Sequence, residues 1–122
     1  MARILVVDDA SFMRQMIREI VEEEGYEVVG EASDGDEAIA AFRRLQPDLV
    51  TMDIVMPRRS GIDAVAQIRQ LDAGARIVMC SALGQDRLVE DAMNAGAMAF
   101  IVKPFKPEVV LETLLSVLEK QE

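Results

Sequence analysis

Histidine is absent from this 122-residue sequence, so the chain can hold neither a phosphohistidine nor an imidazole-bound metal. Cysteine occurs once, as Cys80, which rules out a disulfide within the chain and fits a reducing cytosol. No apolar run approaches the length of a membrane span. No GxxxxGK(S/T) loop is present to cradle a nucleotide. Basic residues are few, 13 against 22 acidic, and the net charge of −9 repels phosphate backbones, so nucleic acid is not an expected partner. There is no block of one charge sign, no repeat and no low-complexity linker. A secretory signal is excluded as well. The apolar start Ile4-Leu5-Val6-Val7 is short and ends on two aspartates rather than on a cleavage site, which reads as a strand and a cytoplasmic address.

What remains is 51% hydrophobic, enough for one domain over residues 1–122 with a core of its own. Five apolar stretches predict buried strands: Ile4–Val7, Tyr26–Ala32, Leu49–Met52, Ile77–Cys80 and Ala99–Val102. Helical stripes lie between and after them. They are Met13, Met16, Ile17, Ile20 and Val21; Ala38, Ala41, Phe42 and Leu45; Ile62, Val65, Ile68 and Leu71; Leu88, Val89, Ala92 and Met93; and Leu111, Leu114, Leu115 and Leu118. Gly25, Pro47, Gly74 and Gly96 supply stops, and Pro107 suits the first turn of the last helix. Strongly apolar strands alternating with helices predict an α/β fold, a parallel five-stranded sheet doubly wound with helices on both faces.

In such sheets ligands sit beyond the carboxyl ends of the strands. Asp8 and Asp9 follow the first strand, Asp53 the third, Ser81 the fourth, and Lys103 with Pro104 the fifth. Strand two ends in Ser33-Asp34-Gly35-Asp36, a turn and helix cap. Three carboxylates on one edge repel each other unless cations stand among them. Lys103 is one such cation, and a hard divalent ion would supply the rest. An all-oxygen donor set favours Mg²⁺ or Mn²⁺ over zinc. A carboxylate beside such an ion can act as a nucleophile toward phosphorus and become an acyl phosphate. With no histidine and no nucleotide loop in the chain, the phosphoryl group would come from a partner.

The segments "VVDDA" (6–10), "TMDIVMPRRSG" (51–61), "CSAL" (80–83) and "FIVKPF" (100–105), in this order and spacing, resemble the receiver domains of bacterial two-component response regulators, of the single-domain chemotaxis type. The resemblance covers essentially the whole chain. It implies a flavodoxin-like strand order, 2-1-3-4-5, for which the chemotaxis regulator is itself a standard example. It implies Asp53 as phosphoacceptor, with Asp8, Asp9, Asp53 and the Val55 backbone carbonyl as ligands of Mg²⁺. Pro57 and Gly61 would shape the loop that presents that carbonyl. Ser81 matches the switch hydroxyl, Lys103 the phosphate-site lysine and Phe100 the switch aromatic, and Lys103–Pro104 matches a cis bond.

The implied partners are a histidine kinase as donor and a protein target, such as the flagellar motor switch or another signalling protein, with a phosphatase to end the signal. The chain is expected to be a cytoplasmic monomer, not a turnover enzyme. No output domain is expected after residue 119, and a protein contact around Phe100 to Leu118 and helix four is the expected output. Val55 and Leu83 stand two residues after Asp53 and Ser81. Neither can orient an attacking water, which implies slow self-dephosphorylation.

Other readings compete. A relay intermediate that passes phosphate on to a histidine phosphotransfer protein shares every motif. An FMN carrier would want a Ser/Thr/Gly-rich loop where Asp8-Asp9 stand. A haloacid-dehalogenase-type phosphatase would want a second aspartate where Val55 stands. Taken alone, Asp8-Asp9 reads as a helix cap before Ser11, Ser81 as a strand-end hydroxyl and Phe100 as core. Cys80 reads as an inert buried thiol and the methionines as core. Arg43-Arg44 and Arg58-Arg59 read as solvated pairs.

Overall fold

A computed structural model describes residues 1–119. Five strands and five helices alternate: β1 (Arg3–Val7), α1 (Ser11–Glu23), β2 (Glu27–Ala32), α2 (Gly35–Leu45), β3 (Leu49–Asp53), α3 (Gly61–Leu71), β4 (Ile77–Ser81), α4 (Asp86–Ala95), β5 (Ala99–Val102) and α5 (Pro107–Glu119). All strand pairs are parallel and the order is β2-β1-β3-β4-β5, as expected. β3 and β4 each run one residue further than their apolar stretches, taking in Asp53 and Ser81.

Alternation along the strands divides the core in two, because successive side chains of a strand point to opposite faces. Leu5, Val7, Val50, Met52, Ile77 and Met79 meet α2, α3 and α4 through Phe42, Val65, Ile68 and Ala92. Ile4, Val6, Leu49, Val78 and Cys80 meet α1 and α5 through Ile17, Val21, Val110, Leu114 and Val117. Both faces are covered, so the strands read as continuous apolar runs.

The last helix corrects its expected stripe. The buried face of α5 is Val110, Leu114 and Val117, while Leu115 is exposed. This helix is apolar nearly all round, so several faces fit a 3.6-residue period and only docking on the sheet selects one. In α4 only Ala92 of the expected four is fully buried, and Leu71 of α3 and Met16 of α1 lie open to solvent. Of the expected stops, Gly96 directly follows the end of α4, and Gly25 follows the C-cap residue of α1, Glu24. Pro47 follows a left-handed cap at Gln46. Gly74 lies in the turn after α3, where its N–H donates to the Asp72 carboxylate at 2.9 Å. Pro107 opens α5.

Candidate functional site

The sheet brings the carboxyl ends of β1, β3, β4 and β5 to one edge. Asp8 is 1% exposed, Asp53 7%, and Asp9 faces solvent. One carboxylate oxygen from each lies within 4.8 Å of the others. Lys103 reaches across from β5, its Nζ 3.2 Å from Asp8 Oδ2 and 3.3 Å from Asp53 Oδ1. The other Asp8 oxygen accepts the Ala10 N–H at 2.9 Å. The capping alternative for Asp8-Asp9 is not what forms: the residue at the N-cap of α1 is Ala10, with no side-chain cap bond.

Charge in this cluster is under-compensated. Burial, and then the Asp8 carboxylate, push the pKa of Asp53 up to about 6 against the opposing pull of Lys103. Burial works against the Lys103 ammonium, but Asp53 and Asp8 outweigh it and hold its pKa above the ordinary lysine value. Cys80, fully buried behind the site, is pushed up by burial and stays a thiol, which agrees with its reading as inert. The donor set is hard oxygen with excess negative charge, which fits a divalent cation of the Mg²⁺ class.

Ser81 is buried at the end of β4, and its hydroxyl faces the Ile101 carbonyl at a long 3.5 Å. Phe100 is 46% exposed, so it is not core. Between them lies a cavity of about 220 Å³ lined by Ser81, Leu83, Val89, Phe100 and Val102. Lys103–Pro104 is cis, as the resemblance implied.

The opening of the 54–61 loop has a steric cause. A Cβ on Gly61 would collide with the Asp53 carbonyl oxygen, and the Gly61 N–H donates to Ile54 O at 2.8 Å. The loop therefore folds straight back against the end of β3. Val55 exposes its side chain between buried Ile54 and Met56.

One part of this edge was misread. Asp34 does cap α2, accepting the Glu37 N–H at 2.8 Å, but it also takes Arg58 Nε at 2.7 Å while only 1% exposed. Arg59 bonds Asp36 and Asp63, each at 2.6 Å. The two arginines are thus paired rather than simply solvated. The available signal was Asp34 itself: a buried carboxylate needs more than one donor.

The model of the response regulator receiver domain family matches residues 4–115. The chain belongs to that family. This receiver domain is 53% identical over 112 residues to the chemotaxis protein CheY of Thermotoga maritima, covering 92% of the chain and 93% of the relative. It is 55% identical over 112 residues to CheY of Bacillus subtilis, with the same coverage. Among solved structures, the CheX–CheY–BeF₃–Mg²⁺ complex of Borrelia burgdorferi superposes with a TM-score of 0.92 at 38% identity, covering 98% of the receiver domain and 90% of that chain. Among the described residues, no helix of the receiver domain is long and apolar enough to cross a membrane.

Proposed function

We propose that this receiver domain accepts a phosphoryl group from the phosphohistidine of a histidine kinase onto Asp53, and that the modified form changes its grip on a protein target in a chemotaxis-type pathway in the cytoplasm. The observation that carries this reading is the convergence of Asp8, Asp9 and Lys103 on Asp53 at the edge where a doubly wound sheet binds ligands. An Asp53 carboxylate oxygen attacks phosphorus, the O–P bond forms, the donor's N–P bond breaks, and the freed imidazole nitrogen takes a proton from solvent.

Asp8, Asp9, Asp53 and the Val55 backbone carbonyl would hold Mg²⁺ (or Mn²⁺), which supplies positive charge to the phosphoryl oxygens. Lys103 already bridges Asp8 and Asp53 and is placed to follow the new negative charge. The Ser81 hydroxyl, poorly bonded at rest, is free to turn toward a phosphoryl oxygen. The cavity beside it gives Phe100 room to pack inward at no polar cost, since phenylalanine has no hydroxyl to satisfy. Output is a protein contact, with the flagellar motor switch or another signalling protein as the target class. The Borrelia neighbour, itself a complex with a protein, supports that reading. Val55 and Leu83 expose only apolar side chains beside the site. They cannot align a water on the Asp53–phosphorus bond, so the modified form decays slowly and a separate phosphatase ends the signal.

The test is intact-mass analysis after incubation with acetyl phosphate and Mg²⁺. One added phosphoryl group is expected, lost in Asp53→Asn and in EDTA. Label that survives Asp53→Asn overturns the assignment. Followed in time, the label should decay faster in Val55→Asn/Leu83→Glu.

A further inference from the structure

The loop that follows Asp53 is fastened to a different layer of the fold from the strand that bears it. Arg58 adopts a left-handed backbone, φ 64°, which a branched-free but bulky side chain adopts only at a cost. From there it reaches the carboxylate of Asp34 at the end of β2. Next to this ion pair the Gly35 N–H donates to the Arg59 carbonyl at 3.0 Å, and a Cβ on Gly35 would strike that same carbonyl. The clamp is therefore steric as well as ionic. The same strand end carries Ala32, whose carbonyl accepts the Asp8 N–H at 3.0 Å. The end of β2 thus holds both the Asp8 backbone on one side and the 54–61 loop on the other, without contributing a ligand of its own.

We propose that Arg58 and Asp34 form a positioning pair for the phosphorylation site: their contact sets the loop after Asp53, and with it the Val55 backbone that would complete the Mg²⁺ site. The inference rests on the metal-dependent function proposed above. Simple electrostatics predicts the opposite of positioning, which makes the pair testable. Removing the Arg58 cation near a site for a divalent cation should tighten binding if only charge matters. It should weaken binding if the loop loses its register. Glycine accepts the left-handed backbone without strain, so any stability Arg58→Gly loses comes from the broken contact with Asp34 and not from the backbone, and the melting curves read that loss separately from Mg²⁺ affinity.

The experiment is Mg²⁺ titration by isothermal calorimetry, with melting curves of the metal-free proteins alongside. Arg58→Gly and Asp34→Asn should each bind Mg²⁺ about 10-fold more weakly than wild type. The double substitution should be no weaker than either single one, because both break one contact. Arg58→Lys should recover part of the affinity. Equal or tighter Mg²⁺ binding by Arg58→Gly, with wild type binding normally, overturns the positioning role and leaves the proposed function standing. Wild type that binds Mg²⁺ no better than Asp53→Asn overturns both.

Discussion

Asp34 and Asp53 occupy equivalent places, each buried at the carboxyl end of a strand, yet their surroundings treat them in opposite ways. The Glu37 N–H, and then Arg58, hold the Asp34 carboxyl below its ordinary pKa in spite of burial. Asp53 has burial and a neighbouring carboxylate against it, which outweigh a shared lysine and the Ile54 backbone N–H, and its pKa rises to about 6. Asp34 is a finished ion pair with a backbone donor to spare. Asp53 is an anion short of cations. Position on the sheet is shared by both carboxylates, and the shortage of donors and cations around Asp53 is what singles it out as the candidate for chemistry.

The comparison can be broken most forcefully from the Asp34 side. Asp34→Ala removes a helix cap and the Arg58 anchor together, and should cost about 1–2 kcal/mol in urea melts. A melt that overlays wild type would mean that the buried pair carries no stability.

The Asp53 side should move the other way. In metal-free protein, Asp53→Asn should gain about 1 kcal/mol, an amount already reduced for solvent screening. The sign with pH follows from the raised pKa. Between an unfolded value near 4 and a folded value of about 6, the native state holds the extra proton. Stability contributed by this group is therefore lost as pH rises through 6. The advantage of Asp53→Asn over wild type should be largest at pH 7–8 and shrink toward pH 5. The Asp34 carboxyl has a lowered pKa, so its contribution is fully present above about 4 and fades only in stronger acid. Over pH 5–8 one difference should change and the other stay flat. Parallel pH curves for the two variants would show that the contrast in surroundings is not energetic.

A third buried polar group refines the contrast at smaller amplitude. Thr51, two residues before Asp53 on β3, is fully buried, and among the described residues its hydroxyl has no hydrogen-bond partner. Removing that hydroxyl should help, and Thr51→Val is expected to raise stability by up to about 1 kcal/mol. A loss instead would show that the hydroxyl is satisfied in solution.

Most of the fold was legible because the strands are buried on both faces. Uninterrupted apolar runs such as Ile4–Val7 and Ile77–Cys80 leave little doubt, and a polar residue at the end of each marks the ligand edge. The face of α5 was not legible, since Val109, Val110, Leu111, Leu114, Leu115, Val117 and Leu118 satisfy more than one helical stripe. In the site, Asp8, Asp9, Asp53 and Lys103 stood out because charge at the end of an apolar run is costly without a purpose. The Arg58 contact was hidden for the opposite reason. Arginines in a loop are ordinarily solvated, and nothing local to "MPRRSG" announces a left-handed residue or a partner 24 positions upstream. Gly61 was recognised as a turn residue, while the contact that demands it, with the Asp53 carbonyl, exists only once the strand and loop are stacked.

The Lys103–Asp8 contact joins residues 95 positions apart. Such a contact is entropically costly to close and belongs to the slow end of folding. During synthesis the chain emerges with its amino terminus first. All three aspartates leave the ribosome well before the lysine that balances them. A partly folded chain that lacks the last strand therefore holds carboxylates without the lysine that bridges Asp8 and Asp53 in the finished fold. Under the proposed function, competence to receive a signal would arrive together with the last strand, and the site itself would distinguish a finished molecule from an unfinished one.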